Sequence, residues 1–133
     1  MNAQNGDSPQ PSARGSVLIV DDNRDAADAL AMALREFGHT VAAAYSARQA
    51  LDMMDENPEI RIVVSDIRMP DVSGFDFRRV VRHRFPDLPM VLITGNPVTS
   101  EDVVPRDTFI LEKPVAAHDL DRVIVEHLRP RTD

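Results

Sequence analysis

Cysteine is absent from the 133-residue chain. That excludes a disulfide framework and a thiolate metal site, and it fits a cytoplasmic setting. Long apolar runs are also missing, and none approaches the length that crosses a bilayer. The opening residues hold no apolar core of a secretory signal. They are rich in Asn, Gln, Pro, Ser and Gly, so residues 1–15 read as a disordered tail. Positive charge is in deficit, at a net −7, which argues against a general binder of nucleic acid or of anionic membranes. None of His39, His83, His118 and His127 has metal-like spacing with another, so surface or packing roles are expected of them. What remains, residues 16–129, is one domain long enough to bury a core, followed by a short tail at residues 130–133.

The chain alternates two patterns. Val17-Leu18-Ile19-Val20 is a continuous apolar run, as expected of a parallel strand buried on both faces. Residues 24–37 follow with Ala27, Leu30, Ala31, Leu34 and Phe37 at helical spacing. Asp22 or Asn23 can cap this helix, and Gly38 can end it. Residues 39–44 make a weaker strand. Ser46 and Gln49 form a capping box for a helix that stops near Asn57-Pro58, with Leu51 and Met54 facing the core. Ile62-Val63-Val64 leads into Asp66 and then into the breakers Pro70 and Gly74. A helix over residues 74–85 should turn Phe77, Val80 and Val81 inward. Its Arg78, Arg79, Arg82 and Arg84 read as a solvated face. Residues 90–93 and 108–111 are further strands. Only about two helical turns fit between Pro97 and Pro105. A last helix, residues 116–128, should bury Leu120, Val123, Ile124 and Leu128.

Strand–helix alternation at this spacing predicts an α/β fold, a doubly wound five-stranded parallel sheet with helices on both faces. In such a sheet the carboxyl ends of the strands share one edge, where chemistry concentrates. Asp21-Asp22, Asp66, Thr94 and Lys113 all fall at strand ends. Alone, Asp66 would read as a turn residue. Together the set is three carboxylates, a hydroxyl and an ammonium. Clustered carboxylates need a cation, and an all-oxygen donor set suits Mg²⁺. Lys113 and Thr94 can hold phosphoryl oxygens, and one carboxylate is left as a nucleophile. The site is suited to carrying phosphate on an aspartate.

The acidic pair Asp21-Asp22, the block Asp66-Ile67-Arg68-Met69-Pro70 with Gly74 beyond it, Thr94, and Lys113-Pro114 occur in this order and spacing. On these motifs the chain resembles a response-regulator receiver domain of two-component signalling, over nearly all of residues 16–128. The resemblance implies a flavodoxin-like fold with strand order 2-1-3-4-5. It makes Asp66 the phosphoacceptor. Asp22 would bind Mg²⁺ directly, Asp21 directly or through water, and the Arg68 backbone carbonyl would be the third protein ligand beside Asp66. Thr94 and Lys113 would read the phosphate, and the Lys113–Pro114 bond would be cis. The implied donor is a histidine kinase or histidine phosphotransfer protein. The chain would be a phosphoacceptor rather than an enzyme. With no residues left over for a DNA-binding output domain, a downstream protein target is expected, and no nucleic acid or membrane. A weak homodimer stays open.

Rival chemistries fit less well. A haloacid-dehalogenase-like aspartyl phosphatase would want a second Asp two residues after Asp66, where Arg68 stands. A flavodoxin-like ligand-binding domain would want a Ser/Thr/Gly-rich loop after the first strand, where Asp21-Asp22 would repel phosphate. Two departures from the receiver pattern bear on output. Ile110 stands where an aromatic residue is usual, and the segment between Thr94 and Lys113 is short, mainly in its fourth helix. Strand alternation puts Phe109 and Leu111 on one face and Ile110 on the other. Phe109 is therefore expected in the core, Ile110 against the segment 98–104, and the signal is expected to pass through the loop 94–105.

Overall fold

The computed structural model describes residues 16–95 and 109–128. The expectations for both tails and for the segment 98–104, including its contact with Ile110 and its signalling role, lie outside those residues. The strands are β1 (Ser16–Val20), β2 (Thr40–Ala44), β3 (Ile60–Asp66), β4 (Met90–Thr94) and β5 (Phe109–Glu112). Helices α1 (Arg24–Glu36), α2 (Ala47–Glu56) and α3 (Gly74–Arg84) each follow one of the first three strands, and α4 (Ala117–Leu128) follows β5. All pairings are parallel, in the order β2-β1-β3-β4-β5.

The apolar runs explain the layers. Successive residues of a strand face opposite sides. Val17 and Ile19 pack with Ala27, Leu34, Leu120 and Ile124, which puts α1 and α4 on one face. Leu18 and Val20 pack with Ala50, Met54, Phe77 and Val81, which puts α2 and α3 on the other. No helix of the described residues is long and apolar enough to cross a membrane.

Local signals set the helix ends. Asn23, rather than Asp22, caps α1 by accepting from the Ala26 N–H at 3.0 Å. Gly38 has φ 95°, the left-handed region open to glycine. Ser46 accepts from the Gln49 N–H at 3.0 Å, and the Gln49 side chain accepts in return from the Tyr45 N–H at 2.8 Å. Ser73 caps α3 by accepting from Asp76 N–H.

Three side-chain placements differ from the sequence expectation. Val80 is 41 % exposed and Arg78 only 7 %. The buried stripe of α3 runs Gly74, Phe77, Arg78, Val81. Gly74 sets that rotation. Its N–H donates to Ile67 O at 2.5 Å, so the helix start lies against the Asp66–Ile67 backbone and Val80 turns outward. The long Arg78 side chain lines a cleft with Leu88, Pro89 and Met90, as an amphipathic stem can. Phe109 is 40 % exposed and not in the core; it meets His127 edge-on, with ring centroids 5.1 Å apart. The alternation itself holds, since Leu111 packs with the α1/α4 layer and Ile110 with the α2/α3 layer. β5 is the edge strand of the sheet, so Phe109, its first residue, has a neighbouring strand on one side only.

Candidate functional site

Topology brings the acidic residues together. β1 has β2 on one side and β3 on the other. The chain leaves β1 in one direction and returns on the opposite side, which opens a crevice at the carboxyl edge. The β1–β3 register slips after Ser16↔Ile60 and then runs from Val17↔Ile62 to Val20↔Ser65. The residues that follow, Asp21 and Asp66, are thus neighbours. Asp22 joins them, and one carboxylate oxygen from each lies within 4.8 Å of the others.

Lys113 reaches in from the end of β5. Its Nζ is 3.4 Å from Asp66 Oδ2 and 3.8 Å from Asp21 Oδ2. Its backbone N–H donates to the Thr94 carbonyl at 2.7 Å, which ties β5 to the end of β4. Thr94 itself is buried. The Lys113–Pro114 peptide is cis. Lys113 is the only lysine in the chain, beside fourteen arginines. A compact ammonium serves this place differently from a planar fork. The single lysine is itself a sequence signal for the site, independent of the motifs.

The loop after Asp66 folds back over it. The Arg68 N–H donates to Asp66 Oδ1 at 3.3 Å. A Cβ at position 74 would stand 2.5 Å from Ile67 Cα and 2.8 Å from Asp66 O, so this position needs glycine. Beyond the loop, Asp22, Arg68, Met69 and Phe75 line an open cleft of about 520 Å³.

One ammonium does not balance three carboxylates. Burial raises the Asp21 pKa above the usual carboxylate value; the Asn23 N–H, donating to Asp21 Oδ1 at 3.0 Å, lowers it. Repulsion from Asp66 and Asp22 raises it again against the pull of Lys113, and the net shift is upward. The ionised cluster is therefore strained. The donor set, hard oxygens with no nitrogen or sulfur among the three clustered residues, fits a small divalent cation.

Comparison with known proteins agrees with this geometry. The family model described as "Response regulator receiver domain" matches residues 17–124. The chain belongs to that family, the receiver domains of two-component signalling. It is similar to the C4-dicarboxylate transport transcriptional regulatory protein DctD of Rhizobium meliloti, with 37 % identity over 82 % of this chain and 24 % of the relative. It is also similar to response regulator MprA of Mycolicibacterium vanbaalenii, with 33 % identity over 78 % of this chain and 46 % of the relative. The chain thus spans a quarter to a half of these relatives. A response regulator receiver protein from Sinorhizobium medicae superposes with a TM-score of 0.74 and 29 % identity, covering 86 % of this chain and 94 % of that one.

Proposed function

We propose that Asp66 is the phosphoacceptor of a Mg²⁺-dependent phosphoryl transfer. The observation that carries this reading is the convergence of Asp21, Asp22 and Asp66 within 4.8 Å, with the Lys113 ammonium 3.4 Å from Asp66. A carboxylate oxygen of Asp66 attacks phosphorus in line. The phosphorus–nitrogen bond of a phosphohistidine donor breaks, and the imidazole leaves with the bonding pair. Asp21, Asp22, Asp66 and the Arg68 backbone carbonyl would hold Mg²⁺, which supplies charge to the phosphoryl oxygens. Lys113 holds a further phosphoryl oxygen, and the Thr94 hydroxyl donates to another.

The donor is a histidine kinase or a histidine phosphotransfer protein, and the setting is the cytoplasm. Phosphorylation shifts a conformational equilibrium and so changes contacts with a downstream protein. The test is incubation with a small phosphodonor and Mg²⁺, followed by peptide mapping of acid-labile phosphate. Phosphate on Asp66 supports the assignment. Phosphate on Asp21, Asp22 or a serine would overturn it.

A further inference from the structure

A buried polar contact lies away from the acidic cluster. His39 and Asp121 are both buried, and His39 Nε2 is 2.7 Å from Asp121 Oδ1. The other ring nitrogen, Nδ1, is buried and has no partner among the described residues. Apolar packing would fill this space without leaving an orphaned polar atom, so a directional contact is held here against a desolvation penalty.

The elements it joins give it a use. His39 follows α1 through the Gly38 turn, and its backbone N–H donates to Leu34 O. Asp121 lies on α4. Helix α1 starts directly after the acidic pair, and α4 starts four residues after Lys113. These two helices therefore carry the two sides of the site. Between them lies a cleft of about 590 Å³, with Ala26, Ala29 and Ala33 of α1 on one wall, Pro114 and Val115 on the other, and Asp21, Asp66 and Lys113 at its mouth. The helices otherwise meet through apolar residues such as Ala31, Leu34, Leu120 and Ile124. Such contacts are non-directional and allow one helix to slide or roll on the other.

We infer that the His39–Asp121 pair is a strut that fixes α4 against α1 and so sets the width of this cleft and the approach of Lys113 to Asp66. Both are positioning residues. The inference rests on the phosphoacceptor reading for its kinetic consequence, but not for its structural one.

The experiment compares the parent with His39→Gln, which can keep a donor near the Nε2 position, and with the double variant His39→Leu/Asp121→Leu. The double variant removes both polar partners together and so avoids a buried unpaired charge. Phosphate incorporation from acetyl phosphate in Mg²⁺ is followed with time, and amide resonances of α1 and of residues 113–117 are followed without phosphodonor. The double variant should stay folded, label about tenfold more slowly through misplacement of the reacting groups, and displace the resonances of Ala29, Val115 and Ala117. His39→Gln should resemble the parent in both readouts. A folded double variant that labels at the parent rate with those resonances unmoved would overturn the strut. Should the double variant not fold, His39→Gln decides: parental resonances support the donor at Nε2, and displaced ones reject it. If the parent takes no phosphate, the phosphoacceptor reading fails alone, and the resonances still decide the strut.

Discussion

Two polar clusters of this domain are built on opposite terms. At the carboxyl edge, three carboxylates face one ammonium, and the nearest ammonium–carboxylate contacts are 3.4 and 3.8 Å. Between α1 and α4, one imidazole meets one carboxylate at 2.7 Å, shielded from water. The first group carries surplus negative charge that only a ligand can neutralise. The second joins its two members directly and is buried, although the other imidazole nitrogen, Nδ1, has no partner among the described residues. Excess like charge marks a place that binds, whereas a closed pair marks a place that holds.

The sharpest way to break this comparison is to remove the acceptor. Asp66→Asn should abolish acid-labile phosphate incorporation while a thermal melt still shows a cooperative fold. Residual labelling at the parent level would shift the chemistry elsewhere.

Lys113→Ala should come next in effect. The variant should fold and accept phosphate slowly, yet lose the phosphorylation-dependent change in its amide spectrum. Because Lys113 is the only lysine, an amine-reactive reagent reports on one side chain besides the amino terminus. Its reaction at Lys113 should slow once Asp66 is phosphorylated, and an unchanged rate would contradict contact between the ammonium and the phosphoryl group.

Mg²⁺ should raise the melting temperature, because a ligand confined to the native state contributes about 2.7 kcal/mol at a hundred times its Kd. Asp22→Ala should respond less. An equal response would take Asp22 out of the site. Gly74→Ala should cost about 1–3 kcal/mol through overpacking against the Asp66–Ile67 backbone, measured by denaturant unfolding. A neutral result would mean that α3 can back away from β3.

The smallest effect concerns pH. The Asp21 pKa is raised in the fold above its ordinary 3.8, chiefly by burial, with repulsion from Asp66 and Asp22 outlasting the opposing Asn23 N–H and Lys113. Folding therefore takes up a proton as the pH rises past that ordinary value. The stability linked to Asp21 is complete below 3.8 and is lost as pH climbs through the raised folded value. Without Mg²⁺, the parent should lose stability as pH rises from 3.8 through that raised value, and Asp21→Asn should lose less and melt higher at pH 7. A steeper loss in the variant would reverse the assigned sign.

The acidic site could be read before folding because each member stands at the end of an apolar strand, and parallel strands deliver their ends to one edge. The matched pair could not. His39 and Asp121 are 82 residues apart and belong to no motif. Nothing in the spacing of the four histidines singles out the one whose side chain becomes inaccessible to solvent. Misplaced expectations share a cause with that blindness. Val80 fits a helical apolar period, but the close approach of Gly74 to Ile67 rotates α3 and turns it out. Phe109 has the correct strand parity, but β5 lies at the sheet edge.

The sequence by itself determined the order of the described elements, the parallel sheet, the caps at Ser46 and Gly38, and which residues meet at the carboxyl edge. Those follow from local signals: period, breakers, and the fixed geometry of a β-α-β crossover. Only the tertiary structure decided how each helix is rolled on the sheet, which edge side chains are covered, and that a histidine after α1 would meet an aspartate on α4. These depend on close packing between segments remote in sequence, where a single glycine contact or an edge position outweighs any local preference.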